Sequence, residues 1–197
     1  MIYLKQLKSL LIHKWLVLQA GRLTGVSFWR LIIHDWSKFT PVEFINYSRW
    51  KYGVKSKRGW AKAWLNHLHH NPHHSEHWAL SWRGNPNFYN GIGEPVAPFI
   101  TLLPMPENQV REMIADWLAT SKRVTGSWNI ANWLNQNGPE MHMHSETVAL
   151  VDKVMEEIGF EQFNNWAWSW VATRKFADWE ASQVGIISSL LSGKTEK

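Results

Sequence analysis

Six of the chain's ten histidines fall between His67 and His77, in N-H-L-H-H-N-P-H-H-S-E-H-W, downstream of a His34-Asp35 dipeptide and of a lone His13. Neutral imidazole is the commonest protein metal ligand, and a carboxylate beside it has two oxygens with which to bridge a pair of ions. Such residues do chemistry only if the fold gathers them, so the spacing of the elements that carry them constrains the architecture. The chain has no cysteine, which removes thiolate metal sites, iron–sulfur clusters and disulfide frameworks together. Any metal must be held by nitrogen and oxygen.

At 197 residues the chain fits one domain and is long enough to bury a core without cross-links. Tyr3, Leu4, Leu7, Leu10, Leu11, Trp15 and Leu18 recur at helical spacing and predict an amphipathic first helix ending near Gly21. Lys5 and Lys8 precede an apolar run, but His13 and Lys14 interrupt it, which argues against a signal peptide. No stretch approaches the ~20 apolar residues that span a bilayer. The expectation is a cytoplasmic protein with no membrane partner.

Between Ser27 and Lys38, Phe28, Trp29, Leu31, Ile32 and Ile33 read as a nearly continuous apolar helix leading into His34-Asp35, so that the dipeptide leaves a buried element. Thr40-Pro41-Val42-Glu43 has the form of a capping box, with Glu43 reaching back, and predicts a third helix. A basic loop from Lys51 to Gly59 precedes a fourth helix, which Pro72 limits after about His70. Between Ser81 and Pro106 the composition turns to Gly, Pro and Asn, and Asn90-Gly91 could turn a small hairpin. Pro106-Glu107 opens a helix with Val110, Met113, Ile114, Trp117 and Leu118 on its apolar stripe and Asp116 beside it. Ser145 or a neighbour caps a helix through Ile158, and Phe160 to Leu191 reads as further Trp-rich helices. The fold class is therefore all-α, a bundle of about seven helices with a Gly/Pro/Asn-rich insertion. One domain is expected over 1–197, with a metal-binding core over 1–125 and a C-terminal helical extension over 140–197. The fifteen tryptophans read chiefly as core and interface residues.

In order, His13, His34-Asp35, His67 and His69, His73-His74 and Asp116 resemble the HD-domain superfamily of metal-dependent phosphohydrolases, over roughly residues 10 to 125. His34-Asp35-Trp36-Ser37-Lys38 is similar to the H-D-x-x-K segment of the cyclic-dinucleotide phosphodiesterase branch, as is the twin His73-His74, but the G-Y-P signature of that branch is missing. H-D-W-S-K-F-T-P-V-E-F, N-P-H-H and R-E-M-I-A-D-W look more closely like an uncharacterised bacterial and phage family, a resemblance that names no activity. The HD resemblance implies a helical core holding one to three divalent transition ions (Mn, Fe, Zn, Ni or Co), two being expected. Asp35 would bridge, with His13, His34 and Asp116 on one ion and His67, His73 and His74 on the other. His69 is an alternate for any of the last three. The substrate so implied is a nucleotide or other small phosphate ester, attacked by metal-activated hydroxide.

Lys38, three residues after Asp35, shares its helical face and is a candidate for neutralising phosphate. Arg111, Lys122 and Arg123 near Asp116 are weaker phosphate candidates, and Glu76 is a candidate general base or support for a ligand histidine. Each has a plainer reading as a solvated surface charge, and the histidine run as a whole could be a scavenging tract. Helix geometry forbids all six of its rings from facing one way, so His70 and His77 are expected to stay outside the site. His142 and His144 read as solvent or substrate facing. Two other functions fit the same residues. The ligand set could serve a di-iron oxygenase, or the metal could be structural in a non-catalytic interaction protein, with the basic loop as a nucleic-acid contact. The net charge of +5 makes nucleic acid a minor expectation, and homo-oligomerisation stays open.

Overall fold

In the computed structural model, residues 1–82, 99–130, 133, 134, 137 and 141–160 are described. They are helical almost throughout: α1 (Ile2–Leu23), α2 (Phe28–Ile33), α3 (Pro41–Tyr52), α4 (Lys57–His70), α5 (Glu107–Thr125) and α6 (Ser145–Glu157). Short 3₁₀ turns follow the two histidine motifs, at Trp36–Phe39 and Ser75–Trp78. The all-α class is as expected. Strands β1 (Ala79–Trp82) and β2 (Phe99–Leu102) form one antiparallel pair, with Ala79 opposite Leu102 and Trp82 opposite Phe99. The expected Asn90-Gly91 turn and the Trp-rich helices from residue 161 onwards lie outside the described residues.

α5 is the central element because its apolar stripe and its polar stripe are both buried. Val110, Met113, Ile114, Trp117 and Leu118 meet Val148, Val151, Val154 and Met155 of α6 in the main core. Its other face turns Asp116 towards His13 of α1 and Glu112 towards Arg30 of α2, His34 and His73; α1 packs along α5 and against α3, and α3 in turn packs on α4. Gly126, in the left-handed region at φ 76°, ends α5 by donating its N–H to the Lys122 carbonyl, a conformation that costs glycine little.

Two apolar segments pack differently from their sequence reading. α1 buries Gln6, Leu10, His13, Val17 and Ala20, whereas Leu4, Leu11 and Trp15 are 72%, 55% and 61% exposed. The helix carries apolar side chains on two faces, and contact with α5 selects the one bearing His13. α2 likewise buries only Leu31 and exposes Phe28, Trp29 and Ile33, so it is a surface helix with one apolar anchor.

That anchor explains a glycine. A Cβ on Gly21 would lie 2.3 Å from Leu31 Cδ2 and 2.9 Å from its Cγ, so α1 and α2 approach closely only because position 21 has no side chain. Gly21→Ala forces Leu31 out of its site, and the expected loss is about 1–3 kcal/mol by overpacking. An unchanged denaturation midpoint would contradict this close packing.

Candidate metal centre

Asp35 is the one described non-glycine residue with positive φ, at 56°. α2 ends at Ile33, and the left-handed turn at Asp35 swings its carboxylate inward before the chain enters the Trp36–Phe39 turn. Lys14 holds this corner from α1, its Nζ donating to the carbonyls of Ile32 and His34 at 2.8 Å each. Two of the helix-end acceptors of α2 are thereby satisfied by a side chain.

The carboxylate sits between two groups of imidazoles. Asp35 Oδ2 is 3.4 Å from His13 Nε2 and 3.4 Å from His34 Nε2, while Oδ1 is 3.4 Å from His67 Nε2 and 3.6 Å from His73 Nε2. Asp116 closes the first group, with Oδ1 3.0 Å from His13 Nε2 and 3.9 Å from His34 Nε2. His74 closes the second, its Nε2 2.8 Å from His67 Nε2. Potential ligand atoms of His13, His34 and Asp116 lie within 4.8 Å of one another, and so do those of Asp35, His67, His73 and His74.

The backs of the rings are held by two glutamates. Glu43 is fully buried on α3 and accepts from His67 Nδ1 at 3.0 Å and from Asn66 at 2.8 Å. Glu112 on α5 accepts from His34 Nδ1 at 2.9 Å, lies 3.4 Å from His73 Nδ1, and is paired with Arg30 at 2.5 Å. A proton on Nδ1 leaves Nε2 as a lone pair, so these carboxylates fix the tautomer that points ligand atoms at the centre. Neither glutamate was singled out as a site residue in the sequence. Glu43 read as half of a capping box, yet Thr40 makes no side-chain cap and Glu43 turns inward. Glu112 lies one helical turn before Asp116, a spacing that could have marked it.

The buried polar atoms show what this arrangement fits. His13 Nε2, His34 Nε2, Asp35 Oδ1, His73 Nε2 and Asp116 Oδ1 have no hydrogen-bond partner among the described residues; His13 and Asp116 approach closely but without hydrogen-bond geometry. Each buried unsatisfied group costs roughly 1–3 kcal/mol. Gathered around Asp35, and all nitrogen or carboxylate oxygen, they are groups that could hold a metal ion.

The electrostatics agree. Burial opposes charge on His34, but the nearby Asp35 carboxylate outweighs it, helped by the hydrogen bond to Glu112, and raises the ring to about 10. Burial and then the His34 charge lower His73 to about 3, and burial with its neighbours His73 and His67 lowers His74 as well. Burial would raise Asp35, yet His34 and Lys38 hold it well below the usual carboxylate range; Asp116 is likewise held low against burial, chiefly by His13. In metal-free protein the His34 contribution to stability is complete below about 6.5 and is lost as pH rises towards about 10. The His73 contribution runs the other way, complete above 6.5 and lost as pH falls towards about 3. Chelator-treated protein should therefore melt highest near pH 6.5 and lower on either side; a melting temperature that only rises or only falls between pH 4 and 9 would refute this balance.

The remaining sequence candidates fall elsewhere. His69 is exposed, because two residues after His67 a helix has turned it ~200° away from the centre. Glu76 is exposed on the Ser75–Trp78 turn, with Ser75 Oγ as its hydrogen-bond partner, so it is neither a base in the cluster nor a support for a ligand. Arg111 is tied to Glu107, Glu157 and the Thr24 carbonyl, a structural clasp between α5, α6 and the end of α1. Lys122 donates to the Gly126 carbonyl and lies over Trp128. Both were phosphate candidates, and neither reaches the site. His70 and His77 bond to backbone carbonyls outside it. His144 caps α6 through Nδ1, and His142 is exposed.

Lys38 does reach the centre, paired with Asp35 across one turn. With His13 and Asp116 it borders a cleft of about 330 Å³ whose walls include Trp50, Trp60 and Trp64, with Lys51 and Arg123 further along. A family model covers this whole assembly, matching residues 3–157. The chain belongs to DUF5662, a family of unknown function. The DUF5662 match takes in the His34-Asp35, N-P-H-H and Asp116 segments. No curated protein and no solved structure matches the chain. Among the described residues no helix is long and apolar enough to cross a membrane.

Proposed function

We propose that the chain is a metal-dependent phosphohydrolase acting on a nucleotide or other small phosphate ester, with two divalent transition ions and a cytoplasmic place of work. The observation that carries this reading is Asp35, whose two carboxylate oxygens each face a different imidazole group beneath an open, cation-lined cleft. His13, His34 and Asp116 would hold one ion and His67, His73 and His74 the other, with Asp35 shared. Bound there, the metal would supply Lewis acidity, polarising a phosphoryl oxygen and making water acidic enough to ionise near neutral pH.

The rest falls to the chain's own groups. Glu43 and Glu112 keep His67 and His34 in the ligating tautomer. Lys38, at the floor of the cleft, keeps Asp35 ionised and offers N–H donors to a phosphoryl oxygen. The likeness of the motif order to HD-domain phosphohydrolases supports the same reaction class.

The test is purified protein loaded in turn with Mn, Fe, Co, Ni and Zn and assayed against nucleoside monophosphates, p-nitrophenyl phosphate and its bis-ester. Phosphate release that needs the metal and disappears in Lys38→Met with metal retained supports the reading. No turnover with any ion refutes it, and iron-dependent oxygen consumption would replace it with the oxygenase alternative.

A further inference from the structure

The cleft does not end at the metal centre. A second, shallower pocket of about 450 Å³ lies against it, lined by Ser9, Trp50, Lys51, Tyr52, Lys55 and Arg123. Trp50, Lys51 and Arg123 border both pockets, so the two form one groove that runs outward from Lys38.

Beyond Asp116 and His13 at the metal centre, the charged residues that line this groove are all basic. Lys38 stands at the inner end, Lys51 and Arg123 at the junction, and Lys55 at the outer end. The ion pairs among the described residues give Lys51, Lys55 and Arg123 no carboxylate partner. They are held in place by neutral groups instead. Arg123 Nη1 donates to Ser9 Oγ at 2.9 Å, and Lys55 Nζ sits 5.6 Å from the centre of the Trp50 ring. Arg30 and Arg111, by contrast, are paired, with Glu112 and with Glu107 and Glu157. Three cations without a described carboxylate partner around one open pocket suit an anionic ligand.

Its wall is aromatic. Trp60 stacks on Trp64 with centroids 6.0 Å apart and planes 13° from parallel, and Trp50 leans on Trp60 at 6.0 Å. Flat indole surface beside a cationic track suits a ligand that alternates phosphate with a planar base.

We propose that the outer pocket is a second anion subsite, so that the preferred ligand is a nucleotide carrying another phosphate beyond the one presented to the metal centre. The proposal rests on the phosphohydrolase reading for the inner phosphate, while the outer subsite is tested by binding alone. The second phosphate has two sources, a diphosphate chain or a separate ester on the same nucleoside. Adenosine diphosphate and adenosine 3′,5′-bisphosphate tell them apart.

The experiment is calorimetric titration of metal-loaded, full-length protein with adenosine monophosphate, adenosine diphosphate and adenosine 3′,5′-bisphosphate. At least one doubly phosphorylated probe should bind about tenfold tighter than the monophosphate, the scale of one charge-assisted hydrogen bond. Lys55→Glu, a change at an exposed loop position, should erase that advantage, and Arg123→Gln should reduce it. Equal affinity for all three probes overturns the proposal, as does an advantage that survives both variants. Tight binding without turnover would keep this subsite and remove the hydrolase reading, whereas turnover of monophosphates with no preference among probes would do the reverse.

Discussion

Asp35→Asn protein, purified from cells and analysed for metal, is expected to carry at least one ion fewer per chain than the parent and to lose turnover. Asparagine is the informative substitution because it tolerates the left-handed backbone at φ 56° nearly as well as aspartate, so the change isolates the charge. What it removes is a carboxylate whose two oxygens face four Nε2 atoms at 3.4–3.6 Å, two from each imidazole group. Lys38 and the His34 ring are left without their buried counter-charge, and breaking a buried pair by deleting one partner costs about 3–5 kcal/mol. Asp35→Ala should lose as much metal and be less stable still, because alanine adds the left-handed strain of about 1–2 kcal/mol. Full metal content in Asp35→Asn would remove the shared carboxylate, and with it the two-ion reading.

The second large effect is expected at a residue that stands behind two of the ligand rings, on the Nδ1 side. Glu112→Ala leaves Arg30 without its partner and frees the Nδ1 atoms of His34 and His73 from the carboxylate behind them. Loss of such an outer carboxylate typically weakens metal binding about 10–100-fold. Stability should fall as well, by about 3–5 kcal/mol in metal-free protein, since Glu112 is buried and Arg30 is only partly exposed. Glu112→Gln separates the two effects. It keeps the shape and can still accept from one Nδ1, so metal affinity should recover towards the parent while the Arg30 pair remains weakened. Metal affinity unchanged in both variants would show that the ring tautomers are set without Glu112.

Much of the site could be read before any fold was known, and the reason is local. His34 and Asp35 are neighbours, His73 and His74 are neighbours, and His67 lies in the last turn of a helix that Pro72 limits, so short-range geometry already groups them. The stripe of α5 was equally legible, because Val110 to Leu118 is apolar on one face only. α1 was not, since its apolar residues line two faces and hydrophobicity cannot rank them. Glu43 was misread for a related reason. A glutamate three residues after a threonine and two after a proline satisfies the rule for a helix start, and nothing in the local sequence reveals that His67 will arrive from another helix to claim it.

The placing of the cations shows the same division. Arg111, Lys122 and Arg123 lie within twelve residues of one another on α5, and by spacing alone all three are phosphate candidates. Packing of α6 and the end of α1 takes Arg111, a backbone carbonyl takes Lys122, and only Arg123 is left to border the cleft beside Lys51 from α3.

What the amino-acid sequence determined on its own is the helical class and the kinds of atom that meet at the centre, because periodicity and side-chain chemistry are properties of the residues themselves. What only the tertiary structure decided is which histidines turn inward, which glutamates stand behind them and which cations stay unpaired. Those outcomes depend on which faces of α1, α3, α4 and α5 bury against one another, and the free energy that selects a face belongs to the contact between helices rather than to either helix alone.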